Sequence, residues 1–272
     1  MGDLVEKYDV KFKKKYGQNF LKDVSVVKRI VNVAGIEDRS LVIEVGPGGA
    51  IMTRELAKVA NNVLAYEIDV DLFEELNKRI SDFNNINLIF GDFLNSDLCS
   101  DVANYTYDNL YFVSNVPYYI TTPIIMKLIY SGLHFKKIVM MVQKEVGDRF
   151  STSCGSREYG SISVLLQYYF DVKKEFLVSR NQFVPVPNVD SVIVSFSEKQ
   201  DRLPVLDINF FEQIVRDSFQ YKRKNLRNNL KKYDLNIVSN VLSKYGEDLS
   251  VRAEALDVDV FVELANALYD KC

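Results

Sequence analysis

The stretch that most narrows the folds open to this chain is Leu41–Val45, followed without a break by Gly46-Pro47-Gly48-Gly49 and a helical pattern from about Ile51 to Ala60. A five-residue apolar run is short for a core helix and suits a strand buried on both faces. Glycines directly after it let the backbone approach a ligand, and the following helix aims its N-terminus at the same place. The pattern then recurs. Val63–Tyr66 runs into Glu67-Ile68-Asp69, Ile86–Phe90 into Gly91-Asp92, and Leu110–Val113 into Ser114-Asn115. Short apolar strands, each with a polar residue at its carboxyl end, predict an α/β fold of the doubly wound kind whose ligand lies at the carboxyl edge of the sheet.

The residues at that edge bear on which ligand. A dinucleotide fingerprint needs a third glycine at position 51, where this chain has Ile51, and this argues against a pyrophosphate. Glu67 stands at the spacing from Gly46 at which an acid reaches ribose hydroxyls, and Asp92 can accept a hydrogen bond from an exocyclic amine. Either carboxylate could instead cap the next helix. In Asn115-Val116-Pro117-Tyr118 an amide oxygen, a carbonyl with no N–H beside it and a flat ring suit a planar, amine-bearing base. Alone, that tetrapeptide is equally an ordinary Asn-x-Pro turn. The ordered set Gly46-Pro47-Gly48, Glu67, Asp92 and Asn115 is harder to assign to capping and turns.

A chain of 272 residues, 47% hydrophobic, has room for one large α/β domain and a small second one. The net charge of −3 hides a segregation: residues 37–108 hold fourteen acids and five bases, whereas residues 216–232 hold seven bases against Asp217. The local count is what a polyanion meets. Cys99, Cys154 and Cys272 are odd in number and widely spaced, so neither a disulfide framework nor a thiolate metal site is indicated. His134 is the only histidine and is expected at a helix end or in a loop, which leaves mechanisms built on a His-activated nucleophile little to work with. No apolar run approaches a membrane span, and the start lacks a signal-peptide core. A soluble, cytoplasmic, monomeric protein without a metal or membrane association is expected.

Residues 11 to 23 interleave five lysines with Phe12, Tyr16 and Phe20, a pattern that fits nucleic acid or a solvated charge run, and Asp23 is placed to cap an amphipathic helix. Past the edge residues, Met140–Val142 reads as a strand, Gln143–Phe150 as a polar helix and residues 151–156 as a loop, either a lid or a plain connection. A helix is expected over Ser163–Phe170, and strands over Val172–Phe176 and Ser191–Phe196 bracket a Pro-rich turn that displays Phe183. A composition shift near Ser197–Pro204 divides the chain into residues 1–200 and a helical part, 201–272. If Phe210–Lys232 is one helix, Arg216, Arg223, Lys224, Arg227 and Lys231 share roughly one quadrant, opposite Phe211, Ile214, Val215 and Leu226.

Together these motifs resemble the ribosomal-RNA adenine N6-dimethyltransferases. The resemblance is carried by Gly17-Gln18-Asn19-Phe20-Leu21-Lys22-Asp23, Glu44-Val45-Gly46-Pro47-Gly48-Gly49, Glu67-Ile68-Asp69, Gly91-Asp92 and Asn115-Val116-Pro117-Tyr118. It continues through Tyr159-Gly160-Ser161-Ile162-Ser163-Val164 and Phe183-Val184-Pro185-Val186-Pro187-Asn188-Val189-Asp190-Ser191-Val192. Arg223-Lys224-Asn225-Leu226 with Asn229-Leu230 is similar to the signature of the bacterial small-subunit (16S) branch. The chain departs from the pattern at Val116, where Leu or Ile is expected, a change of packing more than of chemistry.

The resemblance implies a Rossmann-like S-adenosylmethionine-dependent methyltransferase domain plus a small all-α C-terminal domain. It implies S-adenosyl-L-methionine as cofactor, held by Asn19, Leu21, Gly46, Gly48, Glu67, Asp92 and Asn115, and a target-base pocket of Asn115, Pro117 and Tyr118 with Phe183 as a second aromatic over the base. Lys13, Lys14, Lys15, Arg223, Lys224 and Arg227 are the expected RNA contacts. The implied reaction is dimethylation of adenine N6, at two adjacent adenosines near the 3′ end of 16S rRNA in an immature 30S-type particle. The alternatives are the sister family that methylates large-subunit rRNA in antibiotic resistance, which should lack the Arg223-to-Leu230 signature, and a non-catalytic RNA-binding descendant of the fold.

Overall fold

The structure, a computed structural model, describes residues 19–270. The expected RNA contacts Lys13, Lys14 and Lys15 lie outside the described residues. In chain order the first elements are β1 (Phe20–Leu21), α1 (Val24–Ala34), β2 (Ser40–Val45), α2 (Ile51–Ala57) and β3 (Asn62–Glu67). They continue with α3 (Phe73–Ile80), β4 (Ile86–Phe90), α4 (Leu98–Val102), β5 (Asn109–Asn115), α5 (Thr121–Tyr130) and β6 (Lys137–Gln143). Asp23 starts α1 by accepting from the Ser25 N–H, and Gly35, with φ of 59°, ends it by donating to the Val31 carbonyl. The buried side of α1, Val27, Ile30, Val31 and Ala34, joins Leu56 of α2 and Val42, Val63, Tyr111 and Val113 of the strands in one core.

All six residues of β2 are buried, as a central strand covered on both faces requires. The seven-stranded sheet runs β4-β3-β2-β5-β6 and then β9 (Ser191–Glu198) and β7 (Phe170–Val178). The first five strands are parallel, and β9 lies antiparallel to β6. From β2 the chain moves outward through β3 to β4; from β5 it moves the other way to β6. The carboxyl ends of β2 and β5 therefore flank the point where the winding reverses, the place where such sheets open a crevice. A separate ribbon pairs β1 with β8 (Phe183–Val184), matching Leu21 with Phe183.

The chain forms two compact units, and their boundary differs from the expected cut at residue 200. The first comprises the residues up to Gly147 with Lys173–Glu198; the second comprises Asp148–Val172 with Lys199 onward. The reason is packing: Tyr168 of α7 (Ser161–Tyr169) lies 4.8 Å from Phe211 of α8 (Ile208–Ser218), ring centre to ring centre. A composition shift along the chain registers only the second place where the chain leaves the sheet. Residues 151–160 are anchored within the second unit, where the Gly155 N–H donates to the Glu254 carbonyl at 2.7 Å and Tyr159 is buried.

The single helix expected over Phe210–Lys232 is not present. Helix α8 stops at Ser218, residues 219–225 turn, and α9 (Leu226–Asn229) is a separate short helix, followed by α10 (Leu235–Lys244) and α11 (Val258–Tyr269). Two asparagines cause the break. Asn225 caps α9 by accepting from the Asn228 N–H, and buried Asn229 donates to the Ser218 carbonyl at 2.6 Å while accepting from the Tyr221 N–H. Arg223, Lys224, Arg227 and Lys231 are exposed, but on a turn and a short helix and not as one stripe. Arg216 instead pairs with Glu212, and Lys232 with Asp217.

Helix α6 (Lys144–Ser151) carries a packing test in the first unit. A Cβ at Gly147 would stand 2.2 Å from Val192 Cγ1 and 3.1 Å from Val194 Cγ2, both in buried side chains. Alanine is the better helix former by about 1 kcal/mol, but overpacking a fixed core costs about 1–3 kcal/mol, so the clash decides the sign. Gly147→Ala is expected to lower the urea midpoint of unfolding, and adding Val192→Ala to recover part of the loss.

Candidate functional site

At the winding reversal a cleft with about 1010 Å³ of empty space, part of it open to solvent, is lined by residues from the carboxyl ends of β2, β3, β4 and β5 and by Asn19, Phe20 and Leu21. Its back wall is the glycine loop. Gly46 and Gly48 have φ of 75° and 51°, and a Cβ on Gly48 would lie 2.3 Å from Phe20 Cε1. Only glycine permits both that backbone and that approach. The Gly46 N–H donates to the Tyr66 carbonyl at 2.8 Å, fixing the loop to the end of β3.

Glu67, 3% exposed, joins these parts: its Oε2 accepts the Gly48 N–H at 3.1 Å and its Oε1 the Asp69 N–H at 2.9 Å. Burial holds its carboxyl above the usual range, and the two N–H donors pull the other way. Asp92 does cap the next turn, as one reading of the sequence allowed, accepting from the Leu94 N–H at 2.9 Å and from Asn95 Nδ2 at 3.0 Å. A carboxylate has about four acceptor positions, so both acids keep capacity toward the cleft.

Asn115 ends β5 and donates Nδ2 to the Asn19 carbonyl at 3.1 Å. That bond decides which end of the amide is the acceptor and leaves Oδ1 for the cleft. The Pro117 carbonyl takes the Ile120 N–H at 3.1 Å and retains its second lone pair. Tyr118 hydrogen-bonds Ser191 Oγ at 2.7 Å through its hydroxyl, which fixes the ring, and burial raises its pKa, so the ring stays an uncharged phenol.

Phe183 is the exception among the expected pocket residues. It is fully buried, does not line the cleft, and packs in the core with Val27, Ile30 and Ile193. Pairing with Leu21 directs it inward beneath the ribbon. The aromatic rings that line the cleft include Phe20 and Tyr119, and neither was singled out from the sequence for that place. For Phe20 the signal was its position in Asn19-Phe20-Leu21 combined with a glycine opposite. Glu44 was also missed, although an acid inside the apolar run Leu41–Val45 is visible in the sequence.

Glu44 is 1% exposed and lines the cleft. Its carboxyl and the hydroxyl of Thr53 lie near one another without the geometry of a full hydrogen bond. Burial pushes its carboxyl up to about 8; the Thr53 hydroxyl offsets part of this and the charge of Glu67 adds to it.

The chain matches the family of ribosomal RNA adenine dimethylases over residues 9–270. It belongs to that family. Proteins called ribosomal RNA small subunit methyltransferase A are similar along almost the whole length. The one from Streptococcus pneumoniae serotype 2 is 42% identical over 274 residues, 97% of this chain and 94% of the relative. The one from Bacillus cereus is 41% identical over 276 residues, covering 98% and 94%. Among solved structures, a dimethyladenosine transferase from Plasmodium falciparum is similar with a TM-score of 0.76 and 26% identity, over 90% of this chain and 95% of that one. The 23S rRNA methyltransferase ErmE is similar with a TM-score of 0.73 and 26% identity, over 92% and 99%. The ribosomal RNA adenine dimethylase is thus an α/β, Rossmann-like methyltransferase with a helical C-terminal part. Among the described residues no helix is long and apolar enough to cross a membrane.

The state of Glu44 has a measurable consequence in the free dimethylase. Because the folded protein binds this proton more tightly than the unfolded chain does, the contribution is full below the usual carboxyl value of 4.5 and is lost as pH rises toward about 8. Glu44→Gln, which keeps the shape without the charge, is expected to stabilise the ligand-free protein little at pH 5 and by about 1–4 kcal/mol at pH 8. Thermal unfolding at the two pH values checks this.

Proposed function

We propose that this dimethylase binds S-adenosyl-L-methionine in the cleft and places two methyl groups on N6 of adenine in small-subunit (16S) rRNA, at two adjacent adenosines near its 3′ end, within an immature 30S-type particle. The observation that carries the reading is the fixed amide of Asn115, donor end on Asn19 and acceptor end toward the cleft, beside the Tyr118 ring. When bound, the cofactor would supply an electrophilic methyl group on sulfur. Glu67 would hold its ribose, Asp92 its adenine amine, and Gly46, Gly48, Asn19 and Leu21 its remaining length. The open space at Gly46, where a Cβ would meet nothing within 4 Å, and the acids Glu44, Glu67 and Asp92 along the cleft suit a ligand that lies close to the backbone and carries positive charge.

The rest follows from what an exocyclic amine needs. The N6 lone pair of adenine is delocalised into its ring, and the amine becomes a nucleophile as its N–H groups donate to fixed acceptors that favour a pyramidal nitrogen. Asn115 Oδ1 and the free lone pair of the Pro117 carbonyl are two such acceptors, preorganised by Asn19 and by the turn at Ile120. Tyr118, held by Ser191, offers a stacking face worth about 1–3 kcal/mol to an unstacked base. The N6 proton leaves to solvent after transfer, so no strong base is needed, in keeping with the exposure of His134, whose Nδ1 lies 3.5 Å from Glu198.

Mapping of methylated adenines in both ribosomal RNAs of a strain lacking the gene tests the target. The two 16S adenosines are expected to regain both methyl groups with the wild-type chain, and a chain that restores methylation of 23S rRNA instead would refute the small-subunit reading. With Asn115→Ala, single-turnover methylation at saturating cofactor is expected to slow by about 10²–10³ while RNA binding persists.

The exposed Arg223, Lys224 and Arg227 supply the RNA-docking charge in this reading. Changing all three to Glu is expected to weaken binding to immature small subunits with cofactor affinity unaltered. The slope of log affinity against log salt should become shallower by roughly 0.7–0.9 for each phosphate that is no longer neutralised. An unchanged slope would assign those residues to solvent.

A further inference from the structure

One exposed tyrosine of the second unit has no task in the roles given so far. Tyr245 and Tyr269, also exposed, are engaged within the unit: the first donates its hydroxyl to Glu263 at 2.7 Å, and the second lies 5.6 Å from the ring of Phe210, centre to centre. Tyr221, 57% exposed, is bonded through its backbone alone. Among the described residues no ring or cation covers its face, and its hydroxyl has no hydrogen-bond partner.

The backbone beneath that ring is fixed. The Tyr221 N–H donates to Asn229 Oδ1 at 3.2 Å, its carbonyl accepts the Lys224 N–H at 2.8 Å, and Asn229 is itself buried and tied to the Ser218 carbonyl. The bond from Lys224 to Tyr221 closes a four-residue turn, with Lys222 and Arg223 at its tip and Tyr221 and Lys224 side by side at its open end. The Lys222 ammonium is held on the Arg157 carbonyl at 2.8 Å, while Arg223 and Lys224 are exposed. From Ser218 to Tyr233 the chain has six bases and no acid. The acids that approach from elsewhere in the unit, Glu158 near Lys222 and Asp248 near Arg227, accept from Ser156 and Ser250.

A lone exposed tyrosine is ordinary on a protein surface. A ring held on a fixed turn within an acid-free basic stretch is less so, because it offers a face to a base and cations to the phosphates on either side of that base. We infer that Tyr221 is a stacking platform for one unpaired nucleotide of the ribosomal RNA on which the dimethylase docks, with Arg223 and Lys224 on the flanking phosphates. The inference rests on the small-subunit rRNA reading, and it adds to the docking charge a contact that responds to RNA structure. Bases inside an A-form helix show only their edges, so the ring accepts a base that stands out of the stack and rejects a paired one. Since Asn229 orders the turn before RNA arrives, little backbone freedom is lost on contact.

Binding of the full chain to immature small-subunit particles over a range of salt concentrations tests this. Tyr221→Ala is expected to weaken binding about 5- to 100-fold at every concentration, with the slope of log affinity against log salt unchanged, because a stacking contact releases no counter-ion. Tyr221→Phe and Tyr221→Trp keep the ring face and are expected to bind as the wild type does. The chain contains no tryptophan, so Tyr221→Trp carries a single indole, whose fluorescence is expected to be quenched when particles are added. With p-benzoylphenylalanine in place of Tyr221, irradiation is expected to join the chain to rRNA at an unpaired nucleotide.

Wild-type affinity in Tyr221→Ala would overturn the inference, and so would an equal loss in Tyr221→Phe, which would assign the contact to the hydroxyl. A cross-link to a ribosomal protein or to a base-paired nucleotide would do the same. Should Tyr221→Ala unfold at a lower temperature than the wild type, the indole quenching and the cross-link decide, since both are read in variants that retain a ring. If the wild-type chain bound no small-subunit particle, the RNA-docking reading would fall and this inference with it; a failure confined to the Tyr221 variants leaves that reading standing.

Discussion

The ring of Phe20 occupies space that a side chain at residue 48 would need, and most of the cleft depends on that contact being possible. With it, the two-residue strand β1 can lie against the glycine loop and bring Asn19 within reach of Asn115. Glu67 completes the arrangement by taking the Gly48 N–H from the other side. The loop is thus fixed by an aromatic face, a carboxylate and the Gly46 bond to β3, and its free surface is what remains for a ligand. A methyl group at residue 48 would disturb all of these together, since a residue with φ of 51° is strained with any Cβ and the ring of Phe20 stands where that Cβ would go.

The charge pattern around the loop follows from the sheet. Central parallel strands must be apolar on both faces, so polar residues concentrate at their carboxyl ends, where crossovers diverge and space opens. Glu67 sits at such an end and Asp92 just past the edge strand β4, and both are met by backbone N–H groups. Glu44 breaks the pattern by standing inside its strand, with its Oε2 buried and without a hydrogen-bond partner.

Much of this is legible in the sequence because the central strands are short, apolar and closed by glycine or an acid. Leu41–Val45, Ile86–Phe90 and the Asp23 cap are properties of adjacent residues, and so is the place of Glu67 and Asn115 at strand ends. What escapes depends on partners far along the chain. Phe183 reads as displayed on a Pro-rich turn and is buried because β8 pairs with β1. A single helix through Phe210–Lys232 has the right periodicity but contains Asn225 and Asn229, whose side chains offer the backbone a competing turn. Asn229-Leu230, part of the motif for the branch, has a physical meaning in that turn: one residue ties it and the next is buried beneath it.

The division of the second unit into Asp148–Val172 and Lys199 onward has a consequence for how the chain is made. As it leaves the ribosome from its N-terminus, β6 emerges with β5 already available on one side but with nothing for its other edge. Its partner there, β9, is separated from it by α6, α7 and the strands β7 and β8. Through that interval an apolar strand edge stands open, the sort of surface that recruits other chains. The helix α7 is meanwhile finished before α8 and α11, on which it packs, have been synthesised. Neither unit can close until the other has been partly translated, so the two are bound to one another by the order of synthesis as well as by covalent continuity.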